Sequence, residues 1–375
     1  MIVQDRLIQE FMELVRIDSE TRNERQIADV LTQKFTALGL EVFEDDSQER
    51  TGHGAGNLFI KWPAENGGEA VKLLFTCHMD TVVPGQGIKP ILGEDGWITS
   101  DGSTILGADD KAGLAALFEA IRVIQEQKIP HGQIQFVITV GEESGLLGAR
   151  ALDPKYLDAD MGYALDSNGE IGAIVVAAPT QAKVIMQIFG KSAHAGVNPE
   201  DGISAIQVAS KAIAAMKLGR IDNETTANIG KFAGGGPTNI VCDHVQLDAE
   251  ARSIVQEKVD LQVAQMREAL ETTVREYGAE CEFRSEIVYP AFSFNENDPV
   301  VQLADRAISS IGLTPRLFHS GGGSDANVFN GLKIPTVNLA IGYEHIHTTK
   351  ERIKAQDIVK AAEVVLAIVQ ESVKG

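Results

Sequence analysis

The sequence predicts an α/β protein: an open mixed sheet covered by helices, interrupted by an inserted ferredoxin-like α+β domain. Short continuous apolar runs alternate with helical periodicity in both outer parts of the chain, the pattern of buried strands under covering helices. The middle of the chain instead follows a β-α-β-β-α-β order. No internal repeat interrupts either pattern.

Taken in order, residues 4–15 and 23–38 place apolar side chains at helical spacing. The run Val71-Lys-Leu-Leu-Phe-Thr-Cys77 follows Gly67-Gly68 and reads as a buried parallel strand. Leu114, Leu117 and Ile121 mark a helix after Asp110, and residues 134–140 form a second strand of the same kind. From about residue 181 the expected elements are a strand (182–189), a helix (202–216), two strands (227–232, 241–251), a helix (257–277) and a strand (280–288). A helix at 299–311, a strand at 336–340 and a helix at 355–373 return to α/β texture. Residues 1–180 and 291–375 are therefore expected to form a larger domain, and 181–290 an inserted one.

The 375 residues are 44% hydrophobic and 23% charged, enough for two cores and too apolar for a disordered chain. A formal net charge of −20 repels nucleic acid and anionic membrane surfaces, so neither is an expected partner. No segment reaches the roughly 18 apolar residues of a membrane span. Asp5, Arg6, Glu10 and Glu13 lie where a secretory signal would be apolar, and the expected location is the cytoplasm. Three scattered cysteines, Cys77, Cys242 and Cys281, suit buried reduced thiols better than a disulfide framework.

Ligands of open α/β sheets bind beyond the carboxyl ends of the strands, so polar residues directly after apolar runs are the candidates. His78-Met-Asp80 follows the first run: His78 can ligate a metal through one ring nitrogen while Asp80 holds the other. The same pair also reads as a core histidine bonded to a nearby aspartate. Asp109-Asp110 opens a helix, where aspartates also serve as caps. Glu142-Glu143 follows the second run; one glutamate can bind metal while its neighbour acts as general base, or both can sit in a solvated loop. Asp166 ends a further apolar run. Together His78, Asp109, Glu143, Asp166 and a distal histidine suit two divalent ions with nitrogen and oxygen ligands. Ser320-Gly-Gly-Gly-Ser324 can form an amide-lined turn, but the lysine of a nucleotide-binding loop is missing.

His78-x-Asp80, Gly-Ala-Asp109-Asp-Lys-x-Gly, Gly-Glu142-Glu143-Ser-Gly, Asp166 and His347-Thr-Thr-Lys-Glu351, in this order, resemble the co-catalytic metallopeptidases. That family includes peptidase T, glutamate-releasing carboxypeptidases, succinyl-diaminopimelate desuccinylase and aminoacylases. The resemblance spans nearly the whole chain, and its layout is most like the peptidase T branch, although the glycine loop differs from that branch. It implies a zinc exopeptidase-like fold, two divalent ions (Zn2+, with Mn2+ or Co2+ as alternatives) and short peptide substrates, while the edge strands of the inserted domain, able to pair between two chains, predict a homodimer through that domain. It implies His78 and Asp166 on one ion, Glu143 and His347 on the other, and Asp109 bridging, with a cis peptide after Asp109. Asp80 would orient His78, and Glu142 would activate the metal-bridging water. His194 would stabilise the substrate carbonyl, Arg252 would grip a substrate carboxylate, and Asn239, Gly322 and Ser324 would lie beside the substrate. The Thr-Thr-Lys-Glu context selects His347 over His345; His53, His131 and His244 have no supporting context. An aminoacylase or carboxypeptidase of the same family is the alternative.

Overall fold

The structure, a computed structural model, describes residues 1–374. The chain divides into two compact units: Met1–Ala177 with the segment from Ser293 onward, and Ala178–Phe292.

The first unit is built on a mixed sheet. From one edge its strands are Val42–Glu44, Leu58–Trp62, Ile134–Thr139, Leu73–His78, Met161–Ser167, Thr336–Ala340 and Ala173–Ala178, with Arg316–His319 also beside the last. The four central strands, Ile134–Thr139, Leu73–His78, Met161–Ser167 and Thr336–Ala340, are mutually parallel. Every residue of Leu73–His78 and Ile134–Thr139 is buried. That burial on both faces is why these strands read as unbroken apolar runs.

Alternation sends successive side chains to opposite faces. Phe75, Phe136 and Tyr163 join the main core with Leu7, Phe11, Phe35, Phe118 and Ile358 from the helices Gln4–Val15, Arg25–Ala37, Ala108–Gln127 and Ala355–Ser372. Leu74 and Val137 face a smaller core with Phe329 of the helix Asp325–Gly331. Helix Ala108–Gln127 is buried nearly all round, as expected of a helix central to a large core rather than one on a surface. Its Glu119, fully buried, accepts hydrogen bonds from Val3 N (2.8 Å) and Arg6 Nε (2.7 Å). A buried carboxylate paired in this way pins the first helix.

Several strands were not expected from the sequence. Val42–Glu44, Ile91–Leu92, Trp97–Thr99 and Arg352–Lys354 are two or three residues long, too short for any periodicity to register. Ala173–Ala178 is a continuous buried run like the central strands, and its signal was present. Cys77 is buried and free as expected, whereas Cys242 and Cys281 are free but only half-buried.

In the second unit the strands stand in the order Gly219–Arg220, Thr225–Gly234, His244–Ser253, Thr180–Phe189, Glu280–Tyr289, all antiparallel. Helices Ala205–Ala215 and Gln256–Tyr277 pack on this sheet around Val184, Met186, Val208, Leu247, Met266 and Leu270. Without the short first edge strand, this is the ferredoxin-like arrangement.

Candidate metal centre

The central parallel strands end side by side. His78 pairs with Thr139 in register, and Met79 N donates to Thr139 O at 2.9 Å. The residues after both strands therefore emerge at one edge of the sheet, joined there by Asp166 near the end of Met161–Ser167.

His78 is buried, with Nδ1 2.9 Å from the carbonyl oxygen of Asp80. A carbonyl can only accept, so Nδ1 carries a proton and donates it, which turns the Nε2 lone pair toward the site. Nε2 lies 3.0 Å from Asp109 Oδ1 and 3.7 Å from Asp166 Oδ1. The Asp80 carboxylate lies 3.6 Å from the same nitrogen. Its oxygens instead accept from the amides of Glu142 (3.0 Å) and Glu143 (3.3 Å). Asp80 thus orients the histidine with its backbone and the glutamate loop with its side chain.

Asp109 opens helix Ala108–Gln127 with non-helical backbone angles, and the Asp109–Asp110 peptide is cis, as the resemblance implied. Its second oxygen, Oδ2, is 3.4 Å from His347 Nε2, which in turn is 3.0 Å from Glu143 Oε1. Two groups result, His78/Asp109/Asp166 and Asp109/Glu143/His347, each with ligand atoms within 4.8 Å of one another. Asp109 belongs to both through different oxygens. Glu142 closes in on the same point: its carboxylate, His78 and Glu143 also lie within 4.8 Å.

Electrostatics follows from this crowding. Burial and the Asp109 charge push the Asp166 carboxyl up to about 7. Burial, then Asp166, pushes Glu142 well above the usual carboxylate range, and burial raises Glu143. Burial alone would lower the His78 imidazole, but Asp109, Asp166 and Asp80 outweigh it and push it well up. Asp109 and Glu143 raise His347 to about 10. Asp109 is buried, yet the two imidazoles hold it well below its usual value. A site that raises its acids while drawing positive charge onto its histidines is one that cations stabilise. The donor set fits divalent ions that take mixed imidazole and carboxylate ligands. Glu143 Oε1 is moreover a buried atom whose polar neighbour is His347 Nε2, at 3.0 Å.

The structure adds residues that sequence reasoning missed. Tyr343 donates from its hydroxyl to Asp166 Oδ1 at 3.0 Å. Asn338 accepts from Asp166 N (2.9 Å) and donates to Asp166 O (2.6 Å), clamping the strand end. His53, dismissed for lack of context, is buried with Nε2 2.9 Å from Ser144 Oγ, beside the Glu142-Glu143 turn. Gly141 lies against it at φ 61°, where a Cβ would fall 2.3 Å from His53 Nε2. His345 and His347 both adopt positive φ (56° and 62°), and it is His347 that joins the groups.

Ser324 is buried at the start of helix Asp325–Gly331, its amide bonded to Asn327 Oδ1 (3.0 Å) and its hydroxyl accepting from Asn338 (3.1 Å). Gly322 N donates to Ser320 Oγ at 3.0 Å. His194, Asn239 and Arg252 belong to the second unit. His194 is exposed and bridges to Ile240, and Ala195 N donates to Asn239 O at 2.9 Å, so these two loops are tied together. The Arg252 guanidinium forks onto Glu250, Nε to Oε1 at 2.9 Å and Nη2 to Oε2 at 3.0 Å.

The family model described as peptidase family M20/M25/M40 matches residues 74–371. The chain belongs to this family. Among solved structures, the aminopeptidase PepT of Bacillus cereus is 61% identical with a TM-score of 0.92 over 99% of each chain. A tripeptidase of Staphylococcus aureus is 51% identical with a TM-score of 0.96 over the whole of both chains. Peptidase T of Geobacillus kaustophilus is 26% identical over 97% of each sequence. This chain is a peptidase T-like member of the M20 family.

Replacing Gly141 by Ala should displace the turn that carries Glu142 and Glu143, because neither φ nor space admits a side chain. Activity is expected to fall at least about tenfold, since about 1 Å of misplacement costs that much or more. Steady-state assays with circular dichroism as a folding control measure it.

Proposed function

We propose that this chain, a peptide-bond hydrolase of the M20 family, releases the amino-terminal residue of short free peptides with the help of two divalent ions. One observation carries the reading: a single carboxylate, Asp109, faces two histidine-carboxylate groups with its two oxygens. Two ions sharing one carboxylate can polarise a scissile carbonyl and acidify a water together. His78 and Asp166 are assigned to one ion, Glu143 and His347 to the other.

The chain's own residues then handle the proton. Glu142 sits within reach of both groups, which places its carboxylate to act as the base. It accepts a proton from the attacking water on a carboxylate oxygen. As the C–N bond breaks it returns that proton to the leaving amine nitrogen, and the hydroxyl stays on the new carboxyl group. Tyr343 and Asn338 hold Asp166 during this cycle, and Asp80 holds both His78 and the Glu142 amide. His194 and Asn239 keep the substrate-side roles the resemblance suggests. Arg252 and Ser324 keep theirs as well; in meeting substrate they would exchange the contacts to Glu250 and Asn338.

Zinc suits the nitrogen-oxygen donor set best, with manganese and cobalt next. The amino-end, tripeptide preference draws on the PepT and tripeptidase relatives. Action on free short peptides would place the protein in the cytoplasm, where its three unpaired thiols are at home. Among the described residues no helix is long and apolar enough to cross a membrane.

The deciding assay offers zinc-loaded protein free tripeptides, matched dipeptides and N-acylated amino acids, with products identified by mass spectrometry. Release of the first residue from unblocked tripeptides is expected; cleavage of acylated amino acids alone would move the activity to the aminoacylase branch. Glu142→Gln should lower kcat by about 10²–10⁴-fold with metal content unchanged, and an unchanged kcat would remove Glu142 from the chemistry.

We further propose a homodimer through the second unit. Among the described residues strand Glu280–Tyr289 pairs with Thr180–Phe189 at the end of the sheet order and is largely exposed, so its outer side over residues 280–287 can receive a second copy. Sedimentation at micromolar concentration should give twice the 40.3 kDa chain mass, and a single 40 kDa species would sink this claim.

A further inference from the structure

The segment that delivers His347 ends in an acidic residue, Glu351, with a task of its own. Glu351 is 1% exposed. Its Oε2 accepts from Leu106 N (2.7 Å) and Gly107 N (2.8 Å), and its Oε1 from Asp109 N (3.1 Å). The three donors are 242 to 245 residues away in sequence. All belong to the turn that enters helix Ala108–Gln127, where Gly107 is left-handed (φ 73°) and Asp109 is extended (ψ 101°). Amides at a helix start have no partner inside the helix. One carboxylate therefore fixes at three points a turn that its own helix cannot hold.

We propose that Glu351 is a positioning residue for Asp109. By clasping the turn it sets the direction of the Asp109 side chain, so that Oδ1 meets the His78 group and Oδ2 meets the His347 group. Glu351 lies four positions after His347, so the same clasp registers that histidine against its carboxylate partners. The proposal rests on the reading of Asp109 as a ligand shared by two ions. A shared carboxylate must satisfy two centres at once, and sites of this kind are held to within about 0.5 Å. Only a carboxylate of this length suits the position. Glutamine would turn one oxygen into a donor facing an amide donor, and aspartate is a methylene too short to span Leu106 and Asp109 together.

An ordinary helix cap would contribute to thermal stability alone. A clasp acts on cation affinity as well, because it holds the backbone from which a ligand projects. Full-length protein, stripped with a chelator, is titrated with Zn2+ by calorimetry, and hydrogen exchange across residues 106–109 is followed by mass spectrometry. Wild-type protein should bind two ions and protect the Leu106, Gly107 and Asp109 amides like those of the central strands. Glu351→Gln should bind at least one ion about 10- to 100-fold more weakly and exchange those amides faster. Lys350→Ala, exposed in the same segment, should match wild type. Wild-type affinity in Glu351→Gln overturns the proposal, and so does rapid exchange of the three amides in wild-type protein, a result independent of whether any variant folds. Binding of fewer than two ions by wild type overturns the two-ion reading instead, and the exchange data still decide whether the clasp exists.

Discussion

The Asp109 carboxylate, 3.0 Å from one imidazole nitrogen on one oxygen and 3.4 Å from another on the second, is the interaction around which the first unit is organised. Asp166, Glu142 and Glu143 crowd the same point. Two like charges about 4 Å apart repel by roughly 4 kcal/mol at the effective dielectric of a protein surface. Several such pairs together would be costly for any fold that kept them charged and uncompensated. The protein compensates with imidazoles pushed to hold positive charge and carboxyls pushed to hold protons. Cations do the same more completely, which links the scaffold's stability to the chemistry it supports.

Four parallel strands make the crowding possible. Their hydrophobic burial anchors the sheet, and their carboxyl ends release His78, the glutamate turn and Asp166 at one edge within a few ångströms. The helix beginning at Asp109 lies buried against this sheet and brings the fourth participant. Precision then comes from polar contacts between backbone and side chain. Asn338 clamps both backbone groups of Asp166, and Gly141 lets the glutamate turn lie on the His53 ring.

How much of this was legible in the sequence depends on distance along the chain. His78, Asp109, Glu142, Glu143 and Asp166 each follow an apolar run or open a helix, so a local rule finds them. Tyr343 follows strand Thr336–Ala340 by three residues, and the same rule, applied once more, would have reached it. Asn338 and His53 are different, because their partners lie 172 and 91 residues away, and chain order alone does not encode which distant segments meet. Helical periodicity placed the long helices because each buries one face or, for Ala108–Gln127, nearly all of it. It was silent on strands of two or three residues, whose pairing is decided by neighbours rather than by their own composition.

Asp80 shows why residue identity and spacing stop short of mechanism. An aspartate two positions after a histidine suggests a carboxylate holding the ring, and the ring is indeed held. The holder is the backbone carbonyl, an acceptor that any residue would supply. The carboxylate is engaged elsewhere, accepting the amides of Glu142 and Glu143. That second contact is the one that demands aspartate, since only a short, doubly accepting side chain can bridge two successive amides from the end of the neighbouring strand. Asp80 therefore couples the histidine to the glutamate turn: the carbonyl settles which imidazole nitrogen faces the site, and the carboxylate settles where the base and its neighbouring ligand begin. A change in either half shifts the other through the backbone of this one residue, so the ligand and the proton acceptor are positioned as one body.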